Sequence, residues 1–511
     1  MQDDNNLSEQ YLERILKARV YDAAVETSLE PARNLSRRLG NRVLFKREDL
    51  QPVFSFKIRG AYNKLVQLPP ALLKKGVACS SAGNHAQGVA LASKKLGCAA
   101  WIVMPETTPS IKVKSVRDLG AQVIIHGEGY DEAYSHARLL AEDRGLTFVH
   151  PFDDPEVIAG QGTIAMEIVH QHPGPIDAVF VPVGGGGLIS GIAVFLKALF
   201  PATRVIGVQP QDSPAMSEAL KAGKPVTLDH IGIFADGVAV RRVGDETFRL
   251  CREFVDEIVL VSTDEICAAI RDIFEDTRSV MEPAGALAVA GLKRYLARNA
   301  EKEKTLITIN CGANVNFDRL RHIAERAAIG ENREALIAVE IAERPGSFRA
   351  FCSALGRRNV TEFNYRLGDP QQAKIFVGVE LNEGLDEKGR IIQELRTQGY
   401  PVTDMSDNEV AKLHLRHMVG GSSPQSVEDE RLYRFEFPER PGALMDFLIS
   451  IGDRWNISLF HYRNHGSDYG RVLAGIQIPE QELDRFHQHT RDLGYPFTEE
   501  TDNQAYQLFL R

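Results

Sequence analysis

The sequence predicts an α/β protein, with parallel sheets covered by helices, followed by two smaller α+β units of ferredoxin-like plan. Three observations carry that prediction. From about Arg42 to Asn310, short apolar β-type runs alternate with longer helix-type segments; strands separated by helices cannot pair as hairpins, so they pair in parallel under helices on both faces. After about Leu320 the character changes, and ERPGSFRAFCSALGRRNVTEFNYR from Glu343 recurs in altered form as ERPGALMDFLISIGDRWNISLFHYR from Glu439. A chain of 511 residues also exceeds an average domain of roughly 150 residues about threefold.

The strand-like runs are, in order, RVLFK, AAWIVM, AQVIIH, TFVH, AVFVPV, RVIGVQ, EIVLV and TLITIN. Helices between them include SFKIRGAYNKLVQL, NHAQGVALASKKLG and DEAYSHARLLAEDRG. No residue from Ala178 to Leu196 is charged, a length that raises the question of a membrane span. Pro182 and the run Gly184–Gly187 divide it instead into a buried strand, a glycine loop and a helix. Each repeat then reads strand (ALIAVEIA or LYRFEFP), Pro-Gly turn, helix, strand (NVTEFNY or NISLFHY), strand (KIFVGVEL or RVLAGIQI), helix, short strand. That order is βαββαβ. The expected division is 1–320 for the α/β part, 321–334 for a connecting neck, 335–407 and 430–501 for the repeats, 408–429 for a linker and 502–511 for a tail. The linker holds MVGGSSPQSVEDE from Met418, polar and Gly/Ser-rich.

Composition narrows the function classes. Hydrophobic residues at 43% and charged residues at 25% are globular values. A net charge of −9 offers no general attraction to phosphate backbones or anionic lipid, so no nucleic-acid or membrane partner is expected. The six cysteines, at 79, 98, 251, 267, 311 and 352, form no C-x-x-C pair, and MQDDNNLSEQ is not a leader. The cytoplasm is the expected compartment.

Three loops at predicted helix starts carry candidate chemistry. Lys57, in Ser55-Phe56-Lys57, is an amine at the positive end of a helix dipole, which suggests a lowered pKa or a covalent use. The run Ser80-Ser81-Ala82-Gly83-Asn84-His85-Ala86-Gln87-Gly88 places small and hydroxylic residues before a helix, a receptor for a carboxylate or phosphate. Ser81 or Asn84 would also serve as an ordinary helix cap, and His85 alone reads more readily as a packed or solvated histidine than as a catalytic one. Gly184 to Gly187 let the backbone approach an anion. No G-K-[S/T] follows, and the dinucleotide fingerprint fails at Ser190 and at Val208-Gln209. A monophosphate is the better ligand. A lysine able to form an imine, a carboxylate loop and a monophosphate loop together describe pyridoxal 5′-phosphate with an amino-acid substrate.

At this point the chain resembles the serine/threonine dehydratases of the tryptophan synthase β-like (fold type II) pyridoxal-phosphate fold. The motifs S-F-K, S-A-G-N-H-A-Q-G, V-G-G-G-G-L, E-P-A-G-A and C-G-A-N-V-N-F occur in the family's order and approximate spacing. With the two C-terminal units, which resemble ACT-like regulatory domains, the similarity covers nearly the whole chain. The resemblance implies that Lys57 is the Schiff-base lysine, with Phe56 beside the cofactor ring and Asn84 bonded to its phenolic oxygen. It further implies that Ser81, Gly83, Asn84 and His85 surround the substrate carboxylate, and that Gly184, Gly185, Gly186, Gly187 and Leu188 hold the phosphate. Gly237 would pack on the ring face opposite Phe56, and Glu282 would stand near the pyridine side. Cys311 occupies the position facing the pyridine nitrogen, where close relatives place serine. A thiol is a weak donor; read alone, Cys311 is equally a small buried hydrophobe. No metal ligand set is assigned.

The implied reaction is dehydration and deamination of L-threonine to 2-oxobutanoate and ammonia, the entry step of isoleucine synthesis, with L-serine as an alternative substrate. Lys57, once displaced by the substrate amine, would abstract the α-proton. Isoleucine would inhibit and valine oppose it through the repeats of a homotetramer, with the Pro345-Gly346 and Pro441-Gly442 turns as carboxylate receptors. Glu362 and Asn364 in one repeat match Leu459 and His461 in the other, so the two sites need not be equivalent. A serine-preferring dehydratase or racemase, an oligomerisation appendage in place of sensing repeats, and a sensor with a dead cofactor site are the competing readings.

Overall fold

The computed structural model describes residues 2–342, 351, 354–355, 358, 360–366, 372–417, 429–438, 455, 457–463, 469–492 and 494–510. It divides into two compact units, Met1–Phe317 and Asp318–Arg511.

The first unit is built on β1 (Leu29–Pro31), β2 (Arg42–Arg47), β3 (Val77–Ser80), β4 (Ala100–Met104), β5 (Gln122–Ile125), β6 (Thr147–Phe148), β7 (Ala178–Pro182), β8 (Arg204–Pro210), β9 (Glu257–Val261) and β10 (Thr305–Asn310). These form a six-stranded sheet of order β1-β2-β10-β7-β8-β9, parallel except for β1, and an all-parallel four-stranded sheet of order β5-β4-β3-β6. All five residues of β7 are buried, as is most of the helix Gly187–Leu199 behind it. That is why the uncharged stretch is a core and not a span: each fully buried Val, Leu, Ile or Phe contributes about 1.5–3 kcal/mol. Among the described residues no helix is long and apolar enough to cross a membrane. The sequence reading passed over β3, whose four residues, VACS, are too short and too weakly β-forming to stand out. They are fully buried between β4 and β6.

A chain of buried charge underlies the lysine-bearing helix Lys57–Val66. Arg59, with no exposed surface, is bonded to Glu48 (2.7 Å) and Glu167, and Lys46 completes the set on Glu167 (2.6 Å). Two cations thus face two carboxylates, and each charge is compensated.

The second unit holds β11 (Glu334–Ala342), β12 (Val360–Arg366), β13 (Gln372–Glu380), β14 (Val402–Asp404), β15 (Glu430–Pro438), β16 (Ile457–Arg463), β17 (Tyr469–Gln477) and β18 (Phe497–Glu499). Its two antiparallel sheets run β12-β13-β11-β14 and β16-β17-β15-β18, the strand order of the ferredoxin-like plan in both repeats. Glu362 and Leu459 hold matching ladder positions opposite Gly378 and Gly475, as Asn364 and His461 do opposite Phe376 and Leu473. The Pro345-Gly346 and Pro441-Gly442 turns lie outside the described residues.

Both repeats continue further than the expected boundaries. Asn408 caps a short helix, Glu409–Leu413, and Asn503 caps its counterpart, Gln504–Phe509; the two cap side chains bond each other at 3.2 Å. Val410, Ala411, Ala505, Tyr506 and Phe509 enter one core with Leu336, Phe376, Leu432 and Leu473. The start of the linker and most of the tail are therefore packed structure. The helix Arg319–Gly330, which crosses the expected boundary at 320/321, belongs to this unit, where Arg326 pairs with Glu409 at 2.8 Å.

Candidate active site

Open parallel sheets bind ligands beyond the carboxyl ends of their strands. In this chain the loops after β2, β10 and β7, neighbours in one sheet, carry Lys57, Cys311 and Gly184–Gly187, while the loop after β3, in the second sheet, carries the Ser81–Asn84 run. Direct contacts join them. The Phe56 N–H donates to the Cys311 carbonyl (3.4 Å) and the Ala313 N–H to the Phe54 carbonyl (2.9 Å).

Lys57 opens its helix, and its Nζ donates to the Pro151 carbonyl at 2.8 Å, 5.3 Å from the centre of the Phe56 ring. Loss of water pulls the amine from 10.5 down to about 8, against the opposing pull of Cys311 and Glu282. A lysine with that pKa supplies a neutral nucleophile near physiological pH.

Asn84 begins the helix Asn84–Leu96, which has no side-chain cap. Ser81 does not cap it: its Oγ accepts from the Gly83 N–H at 3.2 Å. The first N–H groups of that helix therefore stay available to an anion. The His85 ring turns away into the interior, 3% exposed, with Nε2 on the Val149 carbonyl at 3.0 Å and Nδ1 unpartnered. Burial, then the charge of Lys57, lower it to about 3, so the ring is neutral.

The Asn84 Nδ2 donates to Glu282 Oε1 at 2.6 Å. A methyl group added at Gly237 would lie 2.9 Å from the Ala284 Cβ, 3.4 Å from Glu282 Oε1 and 3.9 Å from Asn84 Nδ2. Gly237, Asn84 and Glu282 therefore lie together. Cys311 is 3% exposed, its Sγ is 3.4 Å from the Ala284 carbonyl, and burial raises its pKa far above the usual thiol value. It is a neutral thiol in the site.

The glycine loop leads into the helix Gly187–Leu199, whose Ncap, Gly186, takes φ +100° and gives no side-chain cap. Leu188 is buried behind it. At Gly185 a Cβ would come within 2.4 Å of the Phe152 ring, and at Gly184 within 2.9 Å of the Val238 Cα. Only glycine allows so close an approach of the loop to its surroundings, and its N–H groups then form a cradle for an anion.

The structure adds residues that sequence reasoning missed. The segment His150-Pro151-Phe152-Asp153 connects the site: Pro151 accepts from Lys57, Phe152 lies under the glycine loop, and Asp153 accepts from the N–H groups of Glu246 and Thr247. His150 organises that turn through Nδ1 and is lowered by burial to about 4. Thr247 donates to the Gly185 carbonyl at 2.6 Å. A proline-aromatic-acid run directly after a strand was the available signal. Asn314, which donates to Asn84 Oδ1 at 2.7 Å, gave no local signal beyond its place in C-G-A-N-V-N-F.

These residues suit pyridoxal phosphate: a lowered amine, an uncapped glycine cradle for a phosphate and the Asn84 amide as a donor. Comparison with known proteins agrees. Residues 20–312 match the family described as pyridoxal-phosphate dependent enzyme. Residues 325–415 and 421–510 each match the C-terminal regulatory domain of threonine dehydratase. The chain is 58% identical over 506 residues to the biosynthetic L-threonine dehydratase of Burkholderia multivorans, covering 98% of this chain and 99% of that one. It is 54% identical to the Escherichia coli protein of that name, covering 98% and 97%. Among solved structures, the processed form of threonine deaminase isoform 2 from Solanum lycopersicum is similar at 49% identity and TM-score 0.62, covering 63% of this chain and 94% of that one. The chain belongs to the pyridoxal-phosphate-dependent enzymes, in the family of biosynthetic threonine dehydratases with C-terminal regulatory domains.

Proposed function

We propose that this chain dehydrates and deaminates L-threonine to 2-oxobutanoate and ammonia, and that isoleucine inhibits it, and valine opposes that inhibition, through the two repeats. The observation that carries the reading is the lowered Lys57 amine held in one site with Asn84 and the glycine cradle.

Bound pyridoxal phosphate supplies an electron sink that acidifies the substrate α-carbon. Every other part belongs to the chain. The Gly184–Gly187 N–H groups and Leu188 hold the phosphate. The N–H groups at the start of the Asn84 helix, with Ser81 and Gly83, hold the substrate carboxylate; His85 contributes its backbone, since its ring faces Val149. Lys57 Nζ takes the α-proton as a general base close to neutrality, and the Pro151 carbonyl orients that amine. Phe56, Gly237 and Glu282 would help hold the cofactor beside Asn84. Cys311, a weakly interacting neutral thiol, would not enforce protonation of the cofactor, which would favour expulsion of a β-leaving group. Threonine and serine differ by one methyl group, worth about 1–3 kcal/mol in a pocket.

The five described cysteines are free, which supports a reducing cytoplasmic setting; the assembly is a homotetramer. Effector sensing requires different affinity for two states of the enzyme.

The test is an assay of oxoacid release from threonine and serine, with and without isoleucine, on the full chain and on one ending at Phe317, where the first unit ends. Threonine turnover in both, with isoleucine inhibition in the full chain alone, is expected. Isoleucine inhibition of the shortened, folded enzyme at the full-chain concentration would place sensing in the first unit.

A further inference from the structure

We propose that Asn314 is a positioning residue that sets the Asn84 amide so that it presents an N–H, not its oxygen, to the cofactor. This rests on the cofactor reading above and goes beyond it in assigning a role to a residue outside the expected site.

An asparagine side chain can be turned by half a rotation, exchanging a donor for an acceptor, at no covalent cost; its neighbours decide which end faces which. Here the decision passes through three groups. The Val53 carbonyl, in the loop leading to Lys57, can only accept, and Asn314 Nδ2 lies 2.8 Å from it. That settles which end of Asn314 is the NH₂. The same NH₂ lies 2.7 Å from Asn84, so the Asn84 atom facing it is the oxygen. Asn84 Nδ2 then points the other way, with one hydrogen on Glu282 Oε1 at 2.6 Å. The second hydrogen remains to be donated. Reversing Asn84 would set its NH₂ against the Asn314 NH₂ and its oxygen against the Glu282 carboxylate, two repulsive contacts in place of two hydrogen bonds. A ring oxygen bearing negative charge needs a donor at this place, and the reversed amide would repel it. Asn314 sits 230 residues from Asn84 in sequence, on the loop that follows β10 and also carries Cys311.

The experiment is a double-mutant cycle in the full chain, read by titrating pyridoxal phosphate into cofactor-free protein and following its long-wavelength absorption. Thermal unfolding of each cofactor-free variant is recorded alongside. Asn314→Leu keeps the size of the side chain and removes the donor; it is expected to weaken cofactor binding tenfold or more. Asn84→Ala should weaken it at least as much. The double variant should bind no worse than Asn84→Ala alone, because a residue acting through Asn84 has nothing left to position. Should Asn314→Leu not fold, Asn314→Asp takes its place in the same cycle. Binding within twofold of wild type in the Asn314 variant overturns the proposal. So does a double variant in which the two losses multiply, since that is the signature of a merely structural role. A wild-type chain that takes up no pyridoxal phosphate would instead sink the cofactor reading itself.

Discussion

Lys57→Met replaces the amine with a side chain of nearly the same length and no charge. In the cofactor-free wild type, burial lowers the amine from 10.5 to about 8. At pH 7 the folded protein therefore holds an ammonium disfavoured by about 3 kcal/mol relative to the unfolded chain. The folded pKa lies below the unfolded one, so the unfolded state binds the proton more tightly. Wild-type stability then rises as pH climbs through 8, and the penalty fades toward 10.5. Methionine carries no such penalty, but it leaves the Pro151 carbonyl without its donor, which costs about 1–3 kcal/mol. These opposing effects nearly cancel at neutral pH, whereas their pH dependence does not cancel. Between pH 7 and pH 9.5 the wild type should gain about 2 kcal/mol on the variant. Urea unfolding of both cofactor-free chains at the two pH values measures this, followed by Trp101 fluorescence in a Trp455→Phe background so that the signal reports the first unit. A stability difference constant to within about 0.5 kcal/mol across that range would refute the argument that Lys57 is desolvated.

Three further outcomes are expected. Thr247→Val deletes the hydroxyl that donates to the Gly185 carbonyl and keeps the shape of the side chain; the carbonyl keeps only the long bond from the Gly244 N–H at 3.5 Å, a loss of about 1 kcal/mol, and absorbance titration should show weaker pyridoxal phosphate binding. Arg59→Met leaves Glu48 and Glu167 sharing only Lys46, so the midpoint of urea unfolding should fall by the equivalent of about 3–5 kcal/mol. Cys311→Ser should keep threonine turnover within about tenfold of wild type in the oxoacid assay, because both side chains are neutral, weakly interacting neighbours of a ring nitrogen.

Much of the candidate site was legible because its signals are local. A glycine run between a strand and a helix, a lysine at a helix start and a small-residue loop before Asn84 each express a backbone requirement within a few residues. The repeat was legible for the same reason, since βαββαβ is written in consecutive segments. The helices capped by Asn408 and Asn503 escaped notice because they are short, and their apolar residues find partners only in the other parts of the shared core.

The amino-acid sequence by itself determined most segments that become strand, glycine loop and helix, β3 and the two short helices capped by Asn408 and Asn503 aside, because those choices depend on dihedral preference and on side-chain periodicity along the chain. Tertiary structure alone decided what those segments do together. Sheet order set the ends of β2, β10 and β7 side by side; hydrogen bonds from Asn84 and Asn314 tied the loop after β3, in the other sheet, to them; exclusion of water lowered Lys57; and Val53, Asn314, Asn84 and Glu282 became one hydrogen-bonded line. The physical reason is that desolvation and hydrogen-bond direction are properties of what surrounds a group, and these surroundings come from residues far apart in the chain.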